Sequence, residues 1–342
     1  MMRSTVGGRF LEALLFAVSS LVLYSLGVGR VLFLVPLQVI AVRRGTSGLA
    51  AAGALAATAL AAIRLVALLP APLDAGRLAA SAAELVAFLL LGAGLAVANL
   101  RMGGARALLR LLAATGTVCL AGAPLAAAAA ANHVVSGLID GVFADASRML
   151  KGIFATGDSV AGTVIEALIV PETLKALVRE SLLNSFVVSV FAFLAFSWWA
   201  GSAAGSRAAT FPPAVRWRFA SFRLEGWWLW PLIVSLALVA ADLLGLAERV
   251  PGSWSAFASS ASYGIWNAAL LALFLFGLQG LAILRFWLEK RGIARFVWPL
   301  VVVAVLGALV TPRLNVVAAV GIPLFGASEN WVRYRSGGTA AA

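Results

Sequence analysis

The sequence predicts an all-α fold: a polytopic transmembrane helix bundle of about eight to ten membrane segments, with amphipathic helices in an extracytoplasmic connector. Three observations predict it. First, 62% of the 342 residues are hydrophobic and only 12% are charged, with mean hydropathy +1.00. Soluble domains carry about 25% charged residues, so this chain cannot cover a water-soluble globule of its size, and lipid must solvate most of it. Second, apolar runs close to the ~20 residues that cross a hydrocarbon core recur along the whole chain. Third, the 26 Lys and Arg residues punctuate those runs and form no continuous stripe. That distribution reads as topology signal and contact with anionic lipid headgroups, and argues against nucleic acid despite the net charge of +12.

Ten apolar segments can be drawn: 10–29, 31–42, 47–69, 79–100, 105–131, 182–201, 227–248, 262–288, 296–310 and 314–328. They divide the chain into an N-terminal membrane bundle (1–131), an extracytoplasmic connector (132–181), a C-terminal membrane bundle (182–335) and a tail (336–342) expected to be disordered. Residues 1–10 resemble a signal-peptide n-region, but Glu12 interrupts the run that follows, so the first segment is expected to stay as an uncleaved span. The second, ninth and tenth segments are short for a 30 Å core. The first two also allow one broken unit around Arg30. Gly53, Ala57 and Ala61 recur at four-residue spacing in the third segment and permit close helix approach.

Orientation rests on the stretch 207–231. Arg207, Arg216, Arg218 and Arg223 sit there beside Trp217, Trp227, Trp228 and Trp230. Arginines hold to the cytosol and to anionic headgroups, while indole rings settle at headgroup depth. With the N-terminus inside and alternating spans, 17 of the 26 Lys and Arg residues fall on the inner side. The expectation is a bacterial inner-membrane protein with both termini cytoplasmic. In the connector, Leu138, Ile139, Val142, Phe143, Ala146, Met149, Leu150, Ile153 and Phe154 repeat at helical spacing. Asp140, Asp145, Arg148 and Lys151 take the other face. This is an amphipathic helix that lies on the outer leaflet or caps the bundle, either as packing or as a lid. A second helix starts at Pro171, with Glu172 in its first turn, and runs into the sixth segment.

Ionisable groups inside a membrane are the default candidates for a site, each costing about 2.5–3.5 kcal/mol at the bilayer centre. Arg64 lies near the outer end of the third segment and Glu84 near the outer start of the fourth. Their depths match in an antiparallel hairpin, so an ion pair is natural. Asp242 lies at similar depth, and Asn184, Asn267 and Asn315 all fall near outer ends. Together they suggest a polar pocket open to the outside; the plainer reading is that groups so near helix ends simply reach water. Glu12 is close enough to the inner end of its span for solvation to explain it. Gln38 and Gln279 are read as interhelical hydrogen-bonders.

Three stretches of the C-terminal half carry a family resemblance: FRLEGWWLW (222–230), LQGLAILRFWLEKRG (278–292) and GIPLFGASENWVRYR (321–335). Their order and spacing resemble the YybS-like family of multi-pass bacterial membrane proteins. So does PLQVIAVRRGTSGLAAAGAL (36–55), whose pattern also resembles the substrate-binding S-components of energy-coupling-factor transporters. The resemblance implies a bacterial inner-membrane protein and supplies no activity.

Cys119 and His133 are the only cysteine and histidine, so neither an intramolecular disulfide nor a Cys/His metal site is possible within one chain. No P-loop, H-E-x-x-H or G-x-S-x-G motif occurs. The chain therefore reads as non-enzymatic, without catalytic residues, metal or cofactor. Two functions remain. One is a solute-binding or transport subunit taking a small molecule. The other is a scaffold or assembly partner for other membrane subunits.

Overall fold

The computed structural model describes residues 6–69, 75–100, 107–154, 169–208, 219–245 and 255–335. Among these residues there are ten α-helices and no strand. Seven helical segments are long and apolar enough to cross a bilayer, and two shorter apolar helices accompany them. The protein is an all-α membrane protein. It divides into two compact units: Met1–Leu182 with Ser189–Ala214, and Leu183–Val188 with Val215–Ala342. The amphipathic connector belongs with the first. The tail 336–342 lies outside the described residues.

The first unit contains α1 (Val6–Ser25), a 3-10 turn (Gly27–Val31), α2 (Leu34–Leu68), α3 (Ala75–Asn99), α4 (Ala107–Ala131), α5 (His133–Phe154) and most of α6 (Pro171–Ala208). The expected second and third segments are the two limbs of α2, folded at Gly45 (φ 76°, ψ −167°). Contacts on either side show the reversal. Ser20 donates to the Phe33 carbonyl at 2.7 Å, and Arg43 and Arg44 reach Glu12 at 3.1 and 2.6 Å. The first limb therefore runs back along α1. The second limb returns, since Arg64 and Arg30 meet on Glu84. A side chain at Gly45 would be forced into backbone territory that only glycine enters freely. Arg313, which precedes the last helix, sits at φ 73° without that freedom. Gly45→Ala is expected to lower the thermal midpoint in detergent and Arg313→Gly to raise it, each by the equivalent of about 1 kcal/mol.

Tyr24, Phe33 and Phe88 form an aromatic knot with centroids 5.0 to 5.5 Å apart. Leu34, Leu37, Leu60, Leu95 and Leu194 are buried in the same unit. Of the expected small-residue stripe Ala57 is buried, but a Cβ at Gly53 would meet nothing within 4 Å, so Gly53 makes no close helix approach. The second limb of α2 instead buries Leu49, Ala52, Ala56 and Leu60. The tight contact lies at Gly201 of α6, where a Cβ would stand 2.4 Å from Gln38 Cβ. Gln38 there bonds both Asn99 and Ser202, the interhelical role expected of it.

α5 packs Val135, Leu138, Ile139 and Phe143 over the start of α3 at Ala79, Ala80 and Ala83. Ser147 donates to the Ile169 carbonyl and Lys175 pairs with Asp140, so α6 starts beside α5. Its far end, Gly201 and Gly205, lies on Gln38 and Val42. Arg207, in the last turn of α6, is thus at the end of this unit opposite α5.

The second unit holds α7 (Leu229–Leu243), α8 (Ser255–Lys290), α9 (Ala294–Val310) and α10 (Leu314–Ser328), preceded by 3-10 turns at Phe219–Ser221 and Gly226–Trp228. α8 is the axis. At its crossing with α10 the backbones touch: a Cβ on Gly326 would meet the Phe276 carbonyl oxygen at 2.0 Å, and one on Gly280 the Ile322 oxygen at 2.4 Å. α9 and α10 have 17 and 15 residues, about 25 and 22 Å of helix, short of a 30 Å hydrocarbon core. They pack on each other as well as on α8.

Candidate functional site

The residues expected to line one outward-opening pocket fall in both units: Arg64 and Glu84 in the first, Asn184, Asp242, Asn267 and Asn315 in the second. In the first unit, Glu84 pairs with two guanidinium groups, with Arg64 Nε 2.6 Å from Oε2 and Arg30 donating to Oε1 at 3.2 Å. The Arg64 contact is electrostatic, because its buried Nε–H makes no hydrogen bond. Tyr24 closes the cluster, donating to the Glu84 carbonyl at 3.3 Å and lying under the Arg30 guanidinium. The antiparallel return of α2 brings these groups together, so the depth matching of Arg64 and Glu84 is realised. Arg30 joins them from the 3-10 turn that links α1 to α2.

A double-mutant cycle tests whether this cluster holds energy. Glu84→Ala leaves two guanidiniums facing each other and is expected to cost more than Arg64→Ala. The Arg64–Glu84 coupling is expected at about 1 kcal/mol, read from unfolding midpoints of both single variants and the double. Additive losses would mean the pair is ornamental.

In the second unit, Asp242 Oδ2 accepts from Ser262 Oγ at 2.7 Å and Trp266 Nε1 at 3.1 Å, tying α7 to α8. Asn267 accepts from the Val187 amide at 2.8 Å and donates to the Leu183 and Tyr263 carbonyls at 2.5 and 2.7 Å. Its amide is saturated against the Leu183–Val188 turn of α6. Asn184 keeps a buried Oδ1 without a hydrogen bond among the described residues. Asn315 is exposed in the first turn of α10, where its Oδ1 accepts from the Val316 amide. Among the described residues of this unit, Asp242, Asn267 and Asn315 share no hydrogen-bond partner.

Glu12 departs from its expectation of simple solvation. Its side chain is 13% exposed and clamps both arginines of the α2 reversal. A carboxylate facing R-R-G across a turn is the signal that points to it, but the fold at Gly45 has to be known first.

The densest polar centre is one the candidate set lacked. Glu329 is buried at 2% exposure and Arg335 at 14%. Arg335 donates to both Glu329 oxygens at 2.7 and 2.5 Å, and to the Ala220 and Phe222 carbonyls at 2.7 and 2.9 Å. Gln279, fully buried, donates to Glu329 Oε2 and the Gly326 carbonyl, both at 3.0 Å, and accepts from the Leu224 amide at 2.8 Å. Every strong donor and acceptor of this knot is matched, which is what makes a buried ion pair tolerable. The three stretches 222–230, 278–292 and 321–335 meet in it. The chemistry on view is therefore structural: it pins an irregular loop to α8 and α10.

That loop presents the aromatic anchors. Trp227 and Trp228 stack with centroids 4.4 Å apart, and Trp227 donates to Glu225 at 2.8 Å. Trp227 and Trp230 are 51% and 68% exposed, and Arg223 is exposed beside them. Arg216, Trp217 and Arg218 lie outside the described residues. Between α3 and α5 an open groove of about 280 Å³ is lined by Ala79, Ala80, Ala83 and the apolar face of α5. No group of three or more His, Cys, Asp or Glu side chains is placed to hold a metal among the described residues. No family model matches the chain, and neither a curated protein nor a solved structure shows significant similarity to it.

Proposed function

We propose that the protein is a non-enzymatic subunit of a membrane assembly, a scaffold that offers a fixed surface to another membrane protein. The supporting observation is where its polar groups go. Glu84, Asp242, Asn267, Gln279 and Glu329 all bond to the protein's own side chains and backbone, with the buried Asn184 Oδ1 and Arg64 Nε the exceptions in the candidate set. Groups satisfied in this way rigidify helix contacts, whereas a polar solute site needs donors and acceptors held open. Placement in a bacterial inner membrane with both termini in the cytosol belongs to the same proposal, and the 17 of 26 basic residues on one side support it.

A second reading has its own support. The α3–α5 groove is apolar throughout and lies beneath an amphipathic helix. A solute-binding or transport subunit resembling an S-component would use it for an apolar portion of its solute, with α5 as the lid. One experiment separates the two: purification in gentle detergent, with native mass spectrometry of what comes through. Stoichiometric recovery of another membrane protein supports the scaffold. A small molecule retained without one supports solute binding. Recovery of neither sinks both.

A further inference from the structure

One end of the second unit carries cations with no carboxylate partner among the described residues. Lys290 closes α8, Arg291 follows it in the turn, and Arg295 stands in the first turn of α9, all three exposed. The carboxylates of this end are already taken. Glu289 accepts from Arg285 at 3.0 Å, Glu329 is buried under Arg335, and Glu225 accepts from Trp227. The turn that joins the helices is rigid: Gly292 sits at φ 72°, and the amides of Arg291, Gly292 and Ile293 bond back to the last turn of α8. Arg285 lies over the Trp298 ring at 5.2 Å, and Phe219 packs on the same ring at 5.6 Å. This anchors the loop carrying Arg223 beside the turn. Exposed apolar rings mark the same end, with Phe296 at 75% and Trp331 at 70%. Cations without a carboxylate partner among the described residues, on a turn bonded back to α8 and beside the exposed Trp331, match one occupant, an anionic phosphate set in a lipid surface.

We propose that the α8–α9 turn binds the phosphate headgroup of an anionic phospholipid through Lys290, Arg291 and Arg295, with Arg223 at its edge. This holds whichever assembly role the protein has, because it uses none of the groups on which that role rests. The test uses the full chain in nanodiscs of mixed phosphatidylglycerol and phosphatidylcholine, with retained lipid counted by native mass spectrometry. Wild type is expected to retain phosphatidylglycerol preferentially. The triple variant Lys290→Gln, Arg291→Gln, Arg295→Gln should lose that preference by about fivefold per removed charge. The exchange Lys290→Arg, Arg291→Lys, Arg295→Lys should keep it. If the triple variant does not fold, salt decides in wild type: the preference must fall between low and high ionic strength. Equal retention of both lipids by wild type overturns the proposal. So does an unchanged preference in a folded triple variant. Tighter capture of a polyglutamate peptide than of phosphatidylglycerol would reassign the surface to an acidic protein segment and overturn it equally.

Discussion

Arg335→Ala is expected to destabilise the second unit by about 3–5 kcal/mol. The arginine's side chain is only 14% exposed, and its four hydrogen bonds go to Glu329 and to the Ala220 and Phe222 carbonyls. Removing it strands the Glu329 carboxylate at 2% exposure with only Gln279 beside it. It also frees two loop carbonyls that the helices cannot satisfy. Arg335→Lys keeps the charge but loses the fork that reaches carboxylate and carbonyls together, so a substantial part of the loss should remain. Thermal unfolding in detergent reads both. A second readout is specific to the knot: the Trp227–Trp228 stack rides on the released loop, so near-ultraviolet dichroism should drop before helix content does. An Arg335→Ala protein with the wild-type midpoint would mean that the knot contributes nothing.

Gly326→Leu is expected to prevent α10 from docking at all. Even a methyl group there would lie 2.0 Å from the Phe276 carbonyl oxygen and 2.7 Å from the Gly280 amide nitrogen. Those atoms belong to helix backbone, which cannot rotate aside as a side chain does. Overpacking of ordinary cores costs about 1–3 kcal/mol, and backbone against backbone lies beyond that range. Gly326→Ala should lower the midpoint markedly, and Gly326→Leu should leave α10 open to protease while the first unit stays folded. Gly321→Ala is the matched control, since a Cβ there meets nothing within 4 Å. Equal midpoints for the position 321 and 326 alanine variants would contradict the close crossing.

Composition and hydropathy carried the fold class, because a lipid-solvated helix announces itself in 20 consecutive residues without any knowledge of its neighbours. The amphipathic period of α5 and the Pro171 helix start were legible for the same local reason. The reversal inside α2 was half legible: R-R-G marked a turn, but whether the limbs continue or fold back depends on contacts such as Ser20 to Phe33. The Arg64–Glu84 pair was readable from matched depth, while Arg30 joining it was not. Long-range knots were the least legible. Glu329 and Arg335 look like solvated end-of-helix charges until the 219–225 loop is seen to cover them. Asn315 shows the converse, a polar residue of suitable depth that ends up exposed and bonded to its own neighbour.

The 38 residues of α6 amount to about 57 Å of unbroken helix, nearly twice a hydrocarbon thickness. Its opening turns carry Glu172, Lys175, Arg179 and Glu180, which do not sink into lipid. Those turns therefore extend past the hydrocarbon core, with α5 tied to them through Lys175 and the Ile169 carbonyl. α5 is thus held over the start of α3 by a helix and not by a slack tether, and a docking protein would meet it in the same place in every copy.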